Sequence, residues 1–177
     1  SLLDLYSTEN GLKVQMQGNY AYVVRDAGNP DFAVINISDI VNPSLTGSLN
    51  VPGRPNNIWV SGNYAYVTSD DNAEELKIVD ISNPSAPTPV GAYNASGNAN
   101  GLGVYVSGSY AYLTRQSSSA KELLIINVST PSAPTLTGSL DLNGDGNEVV
   151  VIGNYAYIAS TDDSQELQVV DITTPAS

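Results

Sequence analysis

The stretch "DLNGDGNE", residues 141–148, carries the clearest chemistry in this 177-residue chain. Asp141, Asn143 and Asp145 fall on alternate positions and Gly146 follows, which is the first half of a calcium loop. Side-chain oxygens at that spacing converge on one ion when a glycine permits the sharp turn. Asn147 would add a backbone carbonyl. The second half departs from the pattern, because Val149 and Ile152 stand where the loop asks for further oxygens; Glu148 is the nearest substitute. Two readings stay open: a calcium site made of Asp141, Asn143, Asp145 and Asn147, or a polar turn equivalent to "NASGNANG" at 94–101.

Little other chemistry is available. Cysteine and histidine are both absent, which removes thiol nucleophiles, Ser-His-Asp relays, haem ligation and thiolate or imidazole zinc sites. Any metal site must be built from oxygen, which suits Ca²⁺ or Mg²⁺. Six Lys+Arg stand against eighteen Asp+Glu, for a net charge of −12 at pH 7. A phosphate backbone needs a basic footprint, so nucleic acid is not an expected partner, and anionic membrane surfaces are disfavoured for the same reason. No apolar run is long enough to span a membrane. Adjacent carboxylates occur at Asp70/Asp71 and Asp162/Asp163, but neighbours in hairpin loops are poorly preorganised for acid–base work. The expectation is a protein that is not an enzyme.

The elements that must position these residues are announced by a repeat. "GNYAYV" at 18–23 returns at 62–67, as "GSYAYL" at 108–113 and as "GNYAYI" at 153–158. A period near 45 residues means a repeat architecture. Each unit holds four short apolar segments cut by turn signals, as in "IWVS", "YAYVTS", "LKIVDIS" and "TPVGAY" of the second. The proline-rich "NPSAP" stops the third segment, since proline cannot continue a central strand. Four strands per unit without helical periodicity predict one blade of a β-propeller. The fold class is therefore all-β, a four-bladed β-propeller of four-stranded antiparallel blades. It forms one domain over 1–177, with repeats at about 12–56, 57–101, 102–147 and 148–177 plus 1–6. The repeated glycine suits positive φ in the first turn. Tyr-Ala-Tyr puts two large side chains on one face and a small one on the other, which nests one blade on the next.

Taken together, "LKIVDISNPSAP" and "VSGNYAYV" resemble the LVIVD-repeat proteins over essentially the whole chain. The resemblance implies a propeller, often on a secreted or surface protein, and brings no shared catalytic residues. "NISDIVNPS" in the first unit departs from the pattern by inserting three residues relative to "DISNPS".

The fourth unit supplies only three strands before the chain ends at "TPAS". Its missing outer strand is expected at the other terminus, where "SLLDLYSTENGLKV" aligns with "GAYNASGNANGLGV". Leu2, Leu3, Leu5 and Tyr6 would add to the strand carrying Leu167, Val169, Val170 and Ile172. Added within the same chain, this strand closes a monomeric ring of four. Added to a neighbour, it yields a dimer, an open polymer or an eight-bladed ring of two copies. The acidic loops "SDDNAEE" (69–75) and "STDDSQE" (160–166) share one end of the ring with "DLNGDGNE" and read as solvated turns. The leading expectation is an extracellular or cell-surface scaffold that self-associates, with a filament as one form. The other is a monomeric binding module that holds a protein or glycan through the acidic, calcium-loaded end.

Overall fold

The structure is a computed structural model that describes residues 11–26, 29–116 and 120–175. Its strands fall into four antiparallel sheets, each running in chain order from the inside outward. Blade one comprises β1 (Gly11–Gln17), β2 (Tyr20–Arg25), β3 (Phe32–Asn36) and β4 (Ser44–Leu49). Blade two comprises β5 (Pro55–Ser61), β6 (Tyr64–Ser69), β7 (Leu76–Asp80) and β8 (Thr88–Tyr93). Blade three comprises β9 (Gly101–Ser107), β10 (Tyr110–Arg115), β11 (Leu123–Asn127) and β12 (Thr135–Leu140). Blade four has β13 (Gly146–Ile152), β14 (Tyr155–Ser160) and β15 (Leu167–Asp171). This is the four-bladed all-β propeller that the repeat requires.

The local causes repeat with the sequence. Gly18, Gly62, Gly108 and Gly153 open the first hairpin of each blade at φ between 57° and 60°, a glycine-led two-residue turn whose twist matches the flanking strands. A register shift recurs at the open end of that hairpin in every blade, at Gly11/Lys13, Pro55/Asn57, Leu113/Arg115 and Gly146/Glu148. Such bulges bend the strand and sharpen its twist.

Blades meet large side chain to small. Tyr22 of blade one shares a core with Ala65 of blade two. Tyr66 meets Ala111 in the next junction, and Tyr112 meets Ala156 in the one after. Burial raises the phenol pKa of Tyr22, Tyr66 and Tyr112. On the outer rim, the strand-four glycine rests on the proline turn of the following blade. A Cβ on Gly47 would lie 2.2 Å from the Pro84 carbonyl oxygen, and one on Gly91 would lie 2.1 Å from that of Pro131. The "NPSAP" turn and the outer-strand glycine are therefore one contact seen from its two sides.

Three cores join blade one to two, two to three and three to four. Among the described residues no comparable core joins blade four to blade one. Residues 1–6, expected to complete blade four, lie outside the described residues. The outer edge of β15 has no strand on it among those that are described.

Candidate assembly site

The channel axis is where all four repeats meet. Lys13, Asn57, Gly103 and Glu148 occupy the same register position, just after the first-hairpin bulge. The Lys13 ammonium donates to Glu148 Oε2 at 2.9 Å, and Asn57 Nδ2 lies 3.0 and 2.9 Å from the two carboxylate oxygens. Gly103 leaves room there, since a Cβ on it would come within 2.8 Å of Glu148 Cα. The residue considered as a substitute calcium ligand instead spans the channel and ties blades one, two and four together.

The rest of the acidic loop is divided between two blades. Lys121 Nζ donates to Asp141 Oδ2 at 2.9 Å, and this contact holds the Asp141 carboxyl below the ordinary range. Asn143 Nδ2 donates to Gln165 Oε1 at 3.1 Å, and the Asp145 amide donates to Thr161 Oγ1 at 2.9 Å. Asn147 is the second residue of β13. The loop does share an end of the molecule with 160–166. Among the described residues no three Asp or Glu side chains lie close enough to share an ion.

Sequence reasoning missed a set of buried carboxylates. Asp31, Glu75 and Glu122 each stand just before the third strand of their blade and turn inward. Each accepts a backbone N–H twenty residues on: Asp31 from Val51, Glu75 from Ala95 and Glu122 from Leu142, all at 2.8 Å. Each acid thus clamps the chain just beyond the outer strand, and an amide paired this way avoids the cost of burial without a partner. Reading 69–75 wholly as a solvated turn needs correction at Glu75, which is fully buried. The only sequence signal was an acid immediately before the third strand in every unit. Its fourth member, Glu166, is exposed.

A side-chain donor stands beside this position in each blade, buried in the first three and half-buried in the fourth, and its origin alternates. In blades one and three it comes from the second strand: Arg25 donates to the Pro30 carbonyl, and Arg115 to the Lys121 carbonyl at 2.6 Å. In blades two and four a serine takes that position and the third strand supplies the donor. Lys77 Nζ reaches Ser69 Oγ at 3.0 Å and the Glu74 carbonyl at 2.6 Å, and Gln168 Nε2 reaches Ser160 Oγ at 3.0 Å. Arg115 also crosses the junction between blades two and three, with Nη1 3.8 Å from Glu75 Oε1 and 3.0 Å from the Ser96 carbonyl.

Desolvation raises the Asp31 and Glu75 carboxyl pKa values and lowers that of the Lys77 ammonium. A carboxyl raised on folding holds its proton more tightly in the folded chain, so its contribution is fully present in acid and is lost as pH rises through the folded value. Hydrogen bonds act oppositely on exposed carboxylates. Asn42 lowers Asp39, Ser82 lowers Asp80, Ser164 lowers Asp162 and Thr173 lowers Asp171. Their contribution is present above the unfolded value, near pH 4, and is lost on acidification below it. Melting temperature is expected to drop on acidification below about pH 4, where the lowered carboxylates take up protons, with the raised Asp31 and Glu75 opposing that loss. A calorimetric pH series checks this, and a melting temperature indifferent to pH below about 4 would contradict these hydrogen-bonded carboxylates.

Blade four presents an open face. Leu167 and Val169 are 64% and 53% exposed, whereas their equivalents Leu123 and Ile125 are 1% and 6% exposed. Tyr155 and Ile152 are exposed on the same blade, and Val14 and Met16 are exposed on blade one. Of the four residues expected to receive a strand, Leu167 and Val169 face outward, while Val170 and Ile172 pack toward blade three.

Four consecutive LVIVD repeats match, over residues 11–51, 52–95, 96–141 and 143–177. The chain belongs to the LVIVD repeat family. Each LVIVD match begins close to an inner strand or to the connection before it, so the repeat and the blade are one unit. No curated protein matches the chain. Among solved structures, the computationally designed Ika4 protein is similar at TM-score 0.74 and 9% identity, over 96% of each chain. The computationally designed Ika8 protein gives 0.70 at 11% identity, over 94% of this chain and 47% of that one. A putative 6-phosphogluconolactonase from Bacteroides uniformis ATCC 8492 gives 0.79 at 14% identity, over 93% of this chain and 51% of that one. Identities this low speak to fold alone. The LVIVD chain spans about half the length of these last two.

Proposed function

We propose that this LVIVD-repeat propeller is a non-catalytic scaffold, extracellular or on the cell surface, that self-associates by N-terminal strand donation. Leu2, Leu3, Leu5 and Tyr6 of one copy would add to β15 of another. The observation that carries this reading is the open edge and outer face of β15, where Leu167 and Val169 stand exposed although their equivalents are buried. An edge of that kind invites another strand. The alternative, a monomer binding a protein or glycan through a calcium-loaded acidic end, has less behind it because Asp141 is engaged by Lys121.

Light scattering across concentrations, on the intact chain and on one lacking residues 1–7, tests the proposal. Mass above 18.5 kDa that rises with concentration and is lost with the deletion is expected. A monomer throughout, or association indifferent to the deletion, would overturn strand donation. Association that disappears on chelation would instead give the 141–148 loop a calcium-dependent role.

A further inference from the structure

We infer that the partner of the open faces is a second copy of this chain, and that the two copies close one eight-bladed ring through two equivalent junctions between blade four of one and blade one of the other. The inference rests on the self-association proposed above and names its form.

The junction between blades two and three supplies the template. Because the strand that supplies the donor alternates, blade four is of the same kind as blade two, and blade one of the same kind as blade three. The missing junction therefore repeats an existing one residue by residue. Tyr66, Leu76 and Ile78 form one side of that core and Val104, Val106 and Ala111 belong to the other. Their equivalents are Tyr157, Leu167 and Val169 on blade four, and Val14, Met16 and Ala21 on blade one. Leu167, Val169, Val14 and Met16 are among the large apolar side chains left exposed. Each surface is thus the shape that the other was built to meet, and each buried side chain contributes roughly 1.5–3 kcal/mol on docking before ordering costs.

Charge follows the same rule. Glu75 and Arg115 pair across the template junction at 3.8 Å. Their counterparts are Glu166, exposed on blade four, and Arg25, buried on blade one and held toward the Pro30 carbonyl as Arg115 is toward that of Lys121. Docking brings a carboxylate to a guanidinium at each of the two new junctions.

Sedimentation velocity on the intact chain is the test, with Leu167→Glu and Met16→Glu as variants on the two faces. Both side chains are exposed in a single copy, so each variant is expected to fold. The expected result is one discrete species of two 18.5 kDa chains. Each variant should weaken the dimer about a hundredfold or more, because apolar burial is lost and a carboxylate is desolvated. An open-ended series of masses would overturn the closed ring while leaving self-association standing. A monomer at every concentration would overturn both. A dimer that survives removal of residues 1–7 but is lost with Leu167→Glu would support face docking and remove strand donation.

Discussion

Replacing Arg115 with methionine is expected to lower the melting temperature by about 6–20 °C, from a loss of about 3–5 kcal/mol. The guanidinium is 1% exposed and serves three acceptors at once. It donates to the Lys121 and Ser96 carbonyls and sits 3.8 Å from Glu75 Oε1, itself on a fully buried carboxylate. Taking two charges out of water costs nearly as much as their attraction returns, so the intact pair contributes little net. Removing one member is different, because Glu75 then carries an uncompensated charge inside the junction between blades two and three. The double variant Glu75→Gln with Arg115→Met should recover part of the loss, since the charge and its stranded partner leave together. Calorimetry on the three proteins checks this. A single-variant shift under about 2 °C would mean that water reaches the pair.

Gly91→Ala should be the more damaging of two glycine substitutions that look alike in the sequence. Its new methyl would sit 2.1 Å from the Pro131 carbonyl oxygen, where the obstacle is backbone of the next blade and cannot swing aside. Relief requires blades two and three to part along their outer rim, and overpacking of this kind costs about 1–3 kcal/mol, with more where nothing can move. Gly62→Ala meets no atom within 4 Å, and its penalty comes only from the left-handed backbone at φ +58°. That penalty is about 1–2 kcal/mol for an ordinary side chain. Denaturant midpoints should therefore fall further for Gly91→Ala, with the reverse order arguing against the rim contact.

Features that solve the same packing problem four times were legible in the sequence. Tyr66 needs a small neighbour on the next blade and finds Ala111, so tyrosine and alanine recur together and the blade can be read from six letters. Glu75 was not legible, because it ends a run of acids whose other members face water, and only its place before Leu76 sets it apart. The loop at 141–148 misled for a related reason. Spacing along a chain gives the reach of Asp141 and Asn143 toward each other but says nothing of Lys121 and Gln165, which approach from two different blades. Counting four repeats likewise fixes the number of blades and leaves open the angle between them. The inner strand β13 packs on β9 and β10 as β9 packs on β5 and β6, and no described blade covers the far face of blade four.

The alternating source of the buried donor also carries a record of descent. Had four single blades been copied one from another, the exchange of an arginine on the second strand for a lysine or glutamine on the third would have to arise twice. A two-blade ancestor duplicated once leaves that pattern directly. The outer strands tell the same story, since "SLTGSL" of blade one and "TLTGSL" of blade three differ in a single letter while blade two reads "TPVGAY" between them. By this reading the unit of repetition is a pair of unlike blades, which the chain carries twice.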